Sequence, residues 1–228
     1  MISFNKALHP TDYKELGLWV YAYDAVIASL AIPYMPNPHL HRRWEYGMAM
    51  EFLESLGGSK AVPRILDVGG AGSLFAPIAL SMGYHVTVVD PDPCVMMFFG
   101  QARNVPNAVG GAAACADFME WGITQEGVES FDVVVSLSTI EHVPEDVAFL
   151  DKLIEHAIKG VFLTTDYSMS GAVHNPGHLR TYTPKTMKNK LVARFDEGWE
   201  FAGEPDWKDE GGHVMGYNFA ALGMVQYD

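Results

Sequence analysis

Ten residues, Arg64-Ile65-Leu66-Asp67-Val68-Gly69-Gly70-Ala71-Gly72-Ser73, constrain this chain more than any other stretch. An apolar run closes in a cluster of small residues and passes at once into a helical pattern, Leu74 to Met82, which Gly83 ends. The order is strand, tight turn, helix. Glycine lets the backbone turn sharply and lets a ligand approach the main chain. The helix start behind it offers unpaired N–H groups and a partial positive charge to an anion. Eighteen residues past Gly72 a second strand-like run, Val86-Thr87-Val88-Val89, ends in Asp90, with Pro91 and Pro93 holding the next turn. A carboxylate in that place is positioned for the diol of a ribose.

Strands alternating with helices predict an α/β fold with a mostly parallel sheet. The glycine turn and Asp90 together point to a nucleoside-containing ligand. A Walker loop is excluded, because no Gly-Lys-Ser/Thr follows. The dinucleotide fingerprint needs G-x-G-x-x-G, and Phe75 stands where its third glycine belongs. Asp90 would repel the 2′-phosphate of NADP. An NAD-dependent Rossmann oxidoreductase stays open as an alternative.

Three further segments narrow the choice. Ala116-Asp117-Phe118 follows a third strand-like run. Phe131-Asp132-Val133-Val134-Val135-Ser136-Leu137-Ser138-Thr139-Ile140-Glu141-His142-Val143 reads as a fourth strand and its turn. A fifth strand is expected from Gly160 to Thr165, and Gly177-His178-Leu179-Arg180-Thr181-Tyr182-Thr183-Pro184 lies beyond it. With Asp67, Gly69 and Asp90 in register, this ordered set resembles the class I S-adenosylmethionine-dependent methyltransferases over residues 42 to 226. Ala71 and Ser73 depart from the later glycines of the first motif, and Gly70 and Gly72 sit one residue off.

The resemblance implies a doubly wound, mostly parallel seven-stranded sheet with an antiparallel C-terminal hairpin. It implies S-adenosyl-L-methionine as cofactor. Gly69, Gly70 and Gly72 would form the loop around the methionine end of that cofactor. Asp67 would meet its amino group or else pin the loop. Asp90 and Pro91 would hold the ribose, and Asp117 the adenine amine, with Phe118 stacking on the adenine or filling core. Ser136 and Ser138 alternate on one strand and so share a face; with Leu137 they are expected next to the ligand. Glu141-His142 is an acid–imidazole pair at the strand edge where α/β ligands bind, and histidine is the best general base near neutral pH. His142 is therefore the catalytic candidate. Its alternative role is to anchor the loop by a hydrogen bond. The implied reaction is S_N2 methyl transfer to a small-molecule acceptor. A methyltransferase-like protein that binds the cofactor without catalysis is the remaining alternative.

Composition fits this reading. The 228 residues suit one α/β core, and 49% hydrophobic residues supply its interior. The core is expected over 61–228 as a Rossmann-like domain, with residues 1–60 as an N-terminal helical cap or lid. That cap holds a helix from Asp12 to Ala31, the prolines 33, 36 and 38, and a second helix from Arg42 to Leu56. Within it Trp44 reads as core packing and Arg43 as exposed. A net charge of −13 disfavours a nucleic-acid partner. Cys94 and Cys115 give neither a disulfide framework nor a zinc spacing, which suits a reduced, cytoplasmic protein. His174, His178 and His213 lack a metal-binding motif, so no metal is expected. The apolar residues 16 to 32 are broken by Asp24 and fall short of a membrane span, and no signal peptide is read. Thr183-Pro184 starts a helix expected to reach Arg194, and its basic residues adjoin an acidic stretch at 196–210. Oligomeric state is not legible.

Overall fold

Apolar runs rich in valine make the strands Arg64–Val68, His85–Asp90 and Phe131–Leu137, and Gly69 ends the first of them. In this computed structural model residues 3–9, 11–12, 28, 40–57, 62–124, 127–172, 175–208 and 218–226 are described. Helix α1 (Leu40–Ser55) precedes strand β1 (Arg64–Val68), α2 (Phe75–Ser81) and β2 (His85–Asp90). Then come α3 (Cys94–Ala102), β3 (Gly111–Cys115) and β4 (Phe131–Leu137), with a two-residue strand pair, Ile123–Thr124 and Gly127–Val128, before β4. Helix α4 (Asp146–His156) leads into β5 (Ala157–Tyr167), and β6 (Trp199–Phe201) and β7 (Asn218–Gln226) close the chain.

The seven strands lie in the order β3-β2-β1-β4-β5-β7-β6. The first five run parallel, and β7 pairs antiparallel with both β5 and β6. This is the doubly wound sheet with a reversed C-terminal hairpin that the sequence predicts. One apolar cluster packs α1, α2 and α3 on one face, through Trp44, Phe52, Phe75 and Phe99. The other sets α4 and the segment after Thr183 on the opposite face, through Phe149, Leu153, Met187 and Leu191. Both faces being covered, β1 and β4 are almost wholly buried, as parallel strands usually are. The strand order reverses between β1 and β4, so a crevice opens at their carboxyl ends. Gly69 and Ser138 stand there.

Several elements depart from the sequence reading. Strand β5 is longer than 160–165, because antiparallel pairing with β7 extends from Gly160↔Val225 to Tyr167↔Asn218. The capping box at Thr183 is present: Thr186 N–H donates to Thr183 Oγ1 (3.1 Å), and Thr183 N–H donates to Thr186 Oγ1 (2.7 Å). The helix it starts is α only at Pro184–Thr186, π at Met187–Leu191 and 3₁₀ at Val192–Arg194. Two of its cations pair with α4: Lys190 meets Asp146 at 3.2 Å, and Arg194 meets Asp151 at 2.6 Å. Trp44 is fully buried, as expected, and Arg43 is half-buried instead of exposed. Among the described residues no helix is long and apolar enough to cross a membrane. Most of the expected helix over 12–31 and the prolines after it lie outside the described residues.

Candidate functional site

The glycine loop is built from close contacts. Gly69 has φ +80°, and a Cβ there would lie 2.2 Å from Thr139 Oγ1, so only glycine fits against the turn that follows β4. A Cβ at Gly70 would lie 2.3 Å from Asp67 Oδ2. Gly72 also takes a positive φ, +71°. Asp90 anchors the loop: its Oδ2 accepts from Ala71 N–H at 2.9 Å, and its Oδ1 accepts from Asp92 N–H at 2.8 Å. Asp67 lies beneath, 1% exposed, and its Oδ2 has no hydrogen-bond partner. Burial, helped by Asp90, pushes its carboxyl up to about 8.

A cavity of about 530 Å³ opens over this edge. Seven of the twelve site residues expected from sequence line it: Gly69, Asp90, Pro91, Asp117, Phe118, Ser138 and His142. That volume suits a ligand of drug-like size. Asp67, Gly70, Gly72, Ser136 and Leu137 are not among its lining residues. Ser136 is buried and donates to Val68 O at 3.1 Å, and Leu137 belongs to the core. Ser136 and Ser138 do not share a strand face as expected. Strand β4 ends at Leu137, and Ser138 turns to φ +48°. Its hydroxyl donates to Glu45 Oε1, which also accepts from Thr164 Oγ1 at 2.5 Å. Asp117 Oδ1 accepts from Met119 N–H at 2.8 Å and so shapes its own turn. Phe118 is buried in the core, edge-on against Phe149 with ring centroids 5.5 Å apart, and also lines the cavity.

The turn after β4, which packs against Gly69 through Thr139, also lines the cavity. Glu141 and His142 diverge there. Glu141 is fully buried; its Oε2 accepts from Thr165 Oγ1 at 3.3 Å, and its Oε1 has no partner. Burial first, then Asp166, pushes it up to about 8. His142 faces the cavity, with Nδ1 3.3 Å from Gly177 O. Burial and the adjacent His178 hold its imidazole below the ordinary histidine value.

Two groups around this turn, Glu45 and Asp166, were not singled out from sequence, and a third, Arg180, was named only as part of the phrase after the fifth strand. Glu45 on α1 is fully buried, pairs with Arg42 at 3.0 Å, and reaches the ends of β4 and β5. Asp166, at the end of β5, accepts from His178 Nδ1. Arg180 donates to the carbonyls of Ile140 (2.9 Å), Val143 and Pro144 (2.8 Å), while Leu179 N–H donates to Glu141 O at 2.9 Å. The phrase after β5 thus buckles the turn that carries His142. Its pairing with that turn spans some forty residues of sequence and has no local signal.

Comparison with known proteins agrees with this arrangement. Residues 66–163 match a protein family described as a methyltransferase domain. No curated protein matches the sequence. Among solved structures, magnesium protoporphyrin IX methyltransferase from Synechocystis PCC 6803 with bound SAM is similar at TM-score 0.55 and 15% identity, over 96% of this chain and 99% of that one. The N-methyltransferase NodS from Bradyrhizobium japonicum WM9 gives TM-score 0.60 and 12% identity, over 85% of this chain and 100% of that one. The glycopeptide N-methyltransferase MtfA gives TM-score 0.57 and 16% identity, over 90% and 97% respectively. At such identities the likeness is one of fold. The fold is that of the class I S-adenosylmethionine-dependent methyltransferases, and residues 66–163 carry the match to a methyltransferase domain. The domain match spans β1 to the middle of β5, and so takes in both the glycine loop and the turn of His142.

Proposed function

We propose that this protein transfers a methyl group from S-adenosyl-L-methionine to a small organic acceptor, and that His142 is the side chain through which the acceptor is activated. One observation carries the reading. A single cavity of about 530 Å³ is lined by Gly69 and Asp90 as well as by His142. Bound there, the cofactor supplies an electrophilic methyl on a sulfonium.

The residues fit that group. Asp67, whose buried Oδ2 lacks a partner, suits a ligand ammonium beside the loop. Asp90 uses one backbone N–H on each oxygen, which leaves lone pairs for two ribose hydroxyls. Asp117 and Phe118 border the part of the cavity assigned to adenine. Gly70 and Gly72 let the loop close on the methionine end. Ser136, Leu137 and Ser138 act as the floor of the site, through packing and backbone and not through free hydroxyls.

Catalysis in this reading is chiefly alignment of acceptor, methyl and sulfur in a site with little water. Where the acceptor is a hydroxyl its proton must leave, and His142 is the one imidazole among the lining residues. Residues 1–60 act as a cap, an assignment supported by the reach of Glu45 from α1 to the cavity residue Ser138. The free thiols Cys94 and Cys115 suit a cytoplasmic location. A net charge of −13 favours a small molecule over nucleic acid. The test is incubation with methyl-labelled cofactor and a cell extract split into protein, nucleic-acid and low-mass fractions. Label should appear in the low-mass fraction. Label confined to protein or nucleic acid would overturn the choice of acceptor class. With an acceptor in hand, His142→Ala should lower turnover about 10²–10⁴-fold, with S-adenosylhomocysteine affinity unchanged.

A further inference from the structure

We propose that Glu141, His142 and His178 form a site for one divalent transition-metal cation at the acceptor end of the cavity. Each offers a donor atom, and the three atoms lie within 4.8 Å of one another. Two imidazoles and one carboxylate on one side of a cation make a set with open positions left for other ligands.

The surroundings of each donor favour a cation. Glu141 is fully buried, and its Oε1 has no hydrogen-bond partner. A buried carboxylate oxygen in that condition costs free energy until a cation or a proton meets it. Arg42 is the nearby side chain of opposite sign that acts on Glu141, and it is already paired with Glu45. The two rings lie edge to face with centroids 4.2 Å apart. Each histidine also turns its Nδ1 to an acceptor. His178 Nδ1 meets the Asp166 carboxylate, and His142 Nδ1 lies 3.3 Å from Gly177 O. Partners of that kind fix the tautomer with the proton on Nδ1 and leave Nε2 as the lone-pair nitrogen, the usual arrangement behind metal-bound histidines. Asn175 Nδ2 now lies 2.9 Å from His178 Nε2, and a cation would take its place. Ligand atoms around a four-coordinate zinc lie roughly 3.3 Å apart, so the three donors must close by about an ångström or more from their widest spacing.

Sequence spacing hid this group, since His178 follows His142 by thirty-six residues. Arg180 and Leu179 bring it back by fastening their segment to the Glu141 turn. Two nitrogens and one carboxylate suit Mn²⁺, Fe²⁺, Co²⁺ or Zn²⁺ better than Mg²⁺ or Ca²⁺. His142 lines the cavity, so the open positions would face an acceptor oxygen. There the cation lowers the pKa of an acceptor hydroxyl. With its Nε2 on the cation His142 acts as a ligand and no longer as the base, so the O–H proton leaves to solvent, the oxygen lone pair forms the new bond to the methyl carbon, and the C–S pair stays on sulfur as a neutral thioether. The acceptor class becomes a hydroxyl compound, best with a second oxygen nearby to share the cation. This catalytic purpose rests on the methyltransferase reading; the binding site does not.

The test uses the full chain freed of metal with a chelator, and Co²⁺ alone as the probe. Absorption titration should show one Co²⁺ per chain, displaced by Zn²⁺. Glu141→Gln and His178→Ala should each weaken binding at least tenfold, whereas His9→Ala should leave it unchanged. Circular dichroism and S-adenosylhomocysteine calorimetry on the same samples report folding and the cofactor site. Co²⁺ bound equally by parent and both variants, or no saturable binding at all, overturns the proposal even if the thioether binds normally. Stoichiometric, variant-sensitive Co²⁺ binding without thioether binding supports the cation site and overturns the methyltransferase reading.

Discussion

Asp90 holds the glycine loop, and in the proposed function it also holds the ribose. Its oxygens hold Ala71 N–H and Asp92 N–H, so the glycine loop depends on it before any ligand arrives. Hydrogen bonds to a charged group contribute about 1.5–3 kcal/mol each. Asp90→Ala should therefore lower the melting temperature of the free protein and weaken S-adenosylhomocysteine at least tenfold by calorimetry; an unchanged melting temperature would show that the loop holds itself. Asp67 makes a prediction in pH. Its folded value near 8 stands above the unfolded carboxyl near 4. The folded chain thus holds the extra proton between those values, and stability present at low pH is lost as pH rises through about 8. Asp67→Asn should melt close to the parent at pH 4 and progressively above it up to pH 8, with a constant gap beyond; a gap independent of pH would contradict the assignment. Residue identities at strand ends were legible because the ligand edge of a parallel sheet is a fixed place in the chain. Ser138 was misplaced because a residue at φ +48° escapes the alternation that a strand imposes.

Among the elements, the turn after β4 owes its shape to a distant one. Arg180 donates to three of its carbonyls, and Asp146 in turn accepts from Tyr182 Oη at 2.8 Å. Arg180→Ala should leave cofactor affinity within about twofold while cutting turnover on an identified acceptor, since it releases the His142 side of the cavity and not the Asp90 side. Equal losses in both would mean that the turn supports the whole site. Helix α1 is tied in by the Glu45 carboxylate, which collects Arg42, Ser138 and Thr164. Arg42 is about a third exposed, so the loss is set mainly by the buried hydroxyls of Ser138 and Thr164 left unpaired, about 1–3 kcal/mol. Glu45→Ala should lower stability by that order in urea titrations, and a loss under about 1 kcal/mol would place these groups effectively in water. Strands and regular helices were legible from apolar runs and glycine stops. The π and 3₁₀ turns between Met187 and Arg194 were not, because the residues that hold them, Asp146 and Asp151, lie on another helix.

At the scale of the molecule, the glycine loop and the turn after β4, about seventy residues apart, meet because the strand order reverses between β1 and β4. The sheet could be foreseen, since parallel strands covered on both faces read as nearly continuous apolar runs. The antiparallel pairing of β7 with β5 and β6 gives the hairpin that the dinucleotide fold lacks. The N-terminal residues reinforce it: Phe4 N–H donates to Ala202 O at 3.0 Å, and Leu8 N–H donates to Phe219 O at 2.8 Å. That contact joins residues more than two hundred apart and left no mark on the local pattern. The central claim is that the crevice between β1 and β4 is an adenosyl-methionine site. Calorimetry of the full chain with S-adenosylhomocysteine and, separately, with NAD tests it most directly. The account predicts one thioether bound per chain, weakened at least tenfold by Asp90→Ala, and no heat from NAD at the same concentration. Saturable NAD binding with no response to the thioether would contradict it.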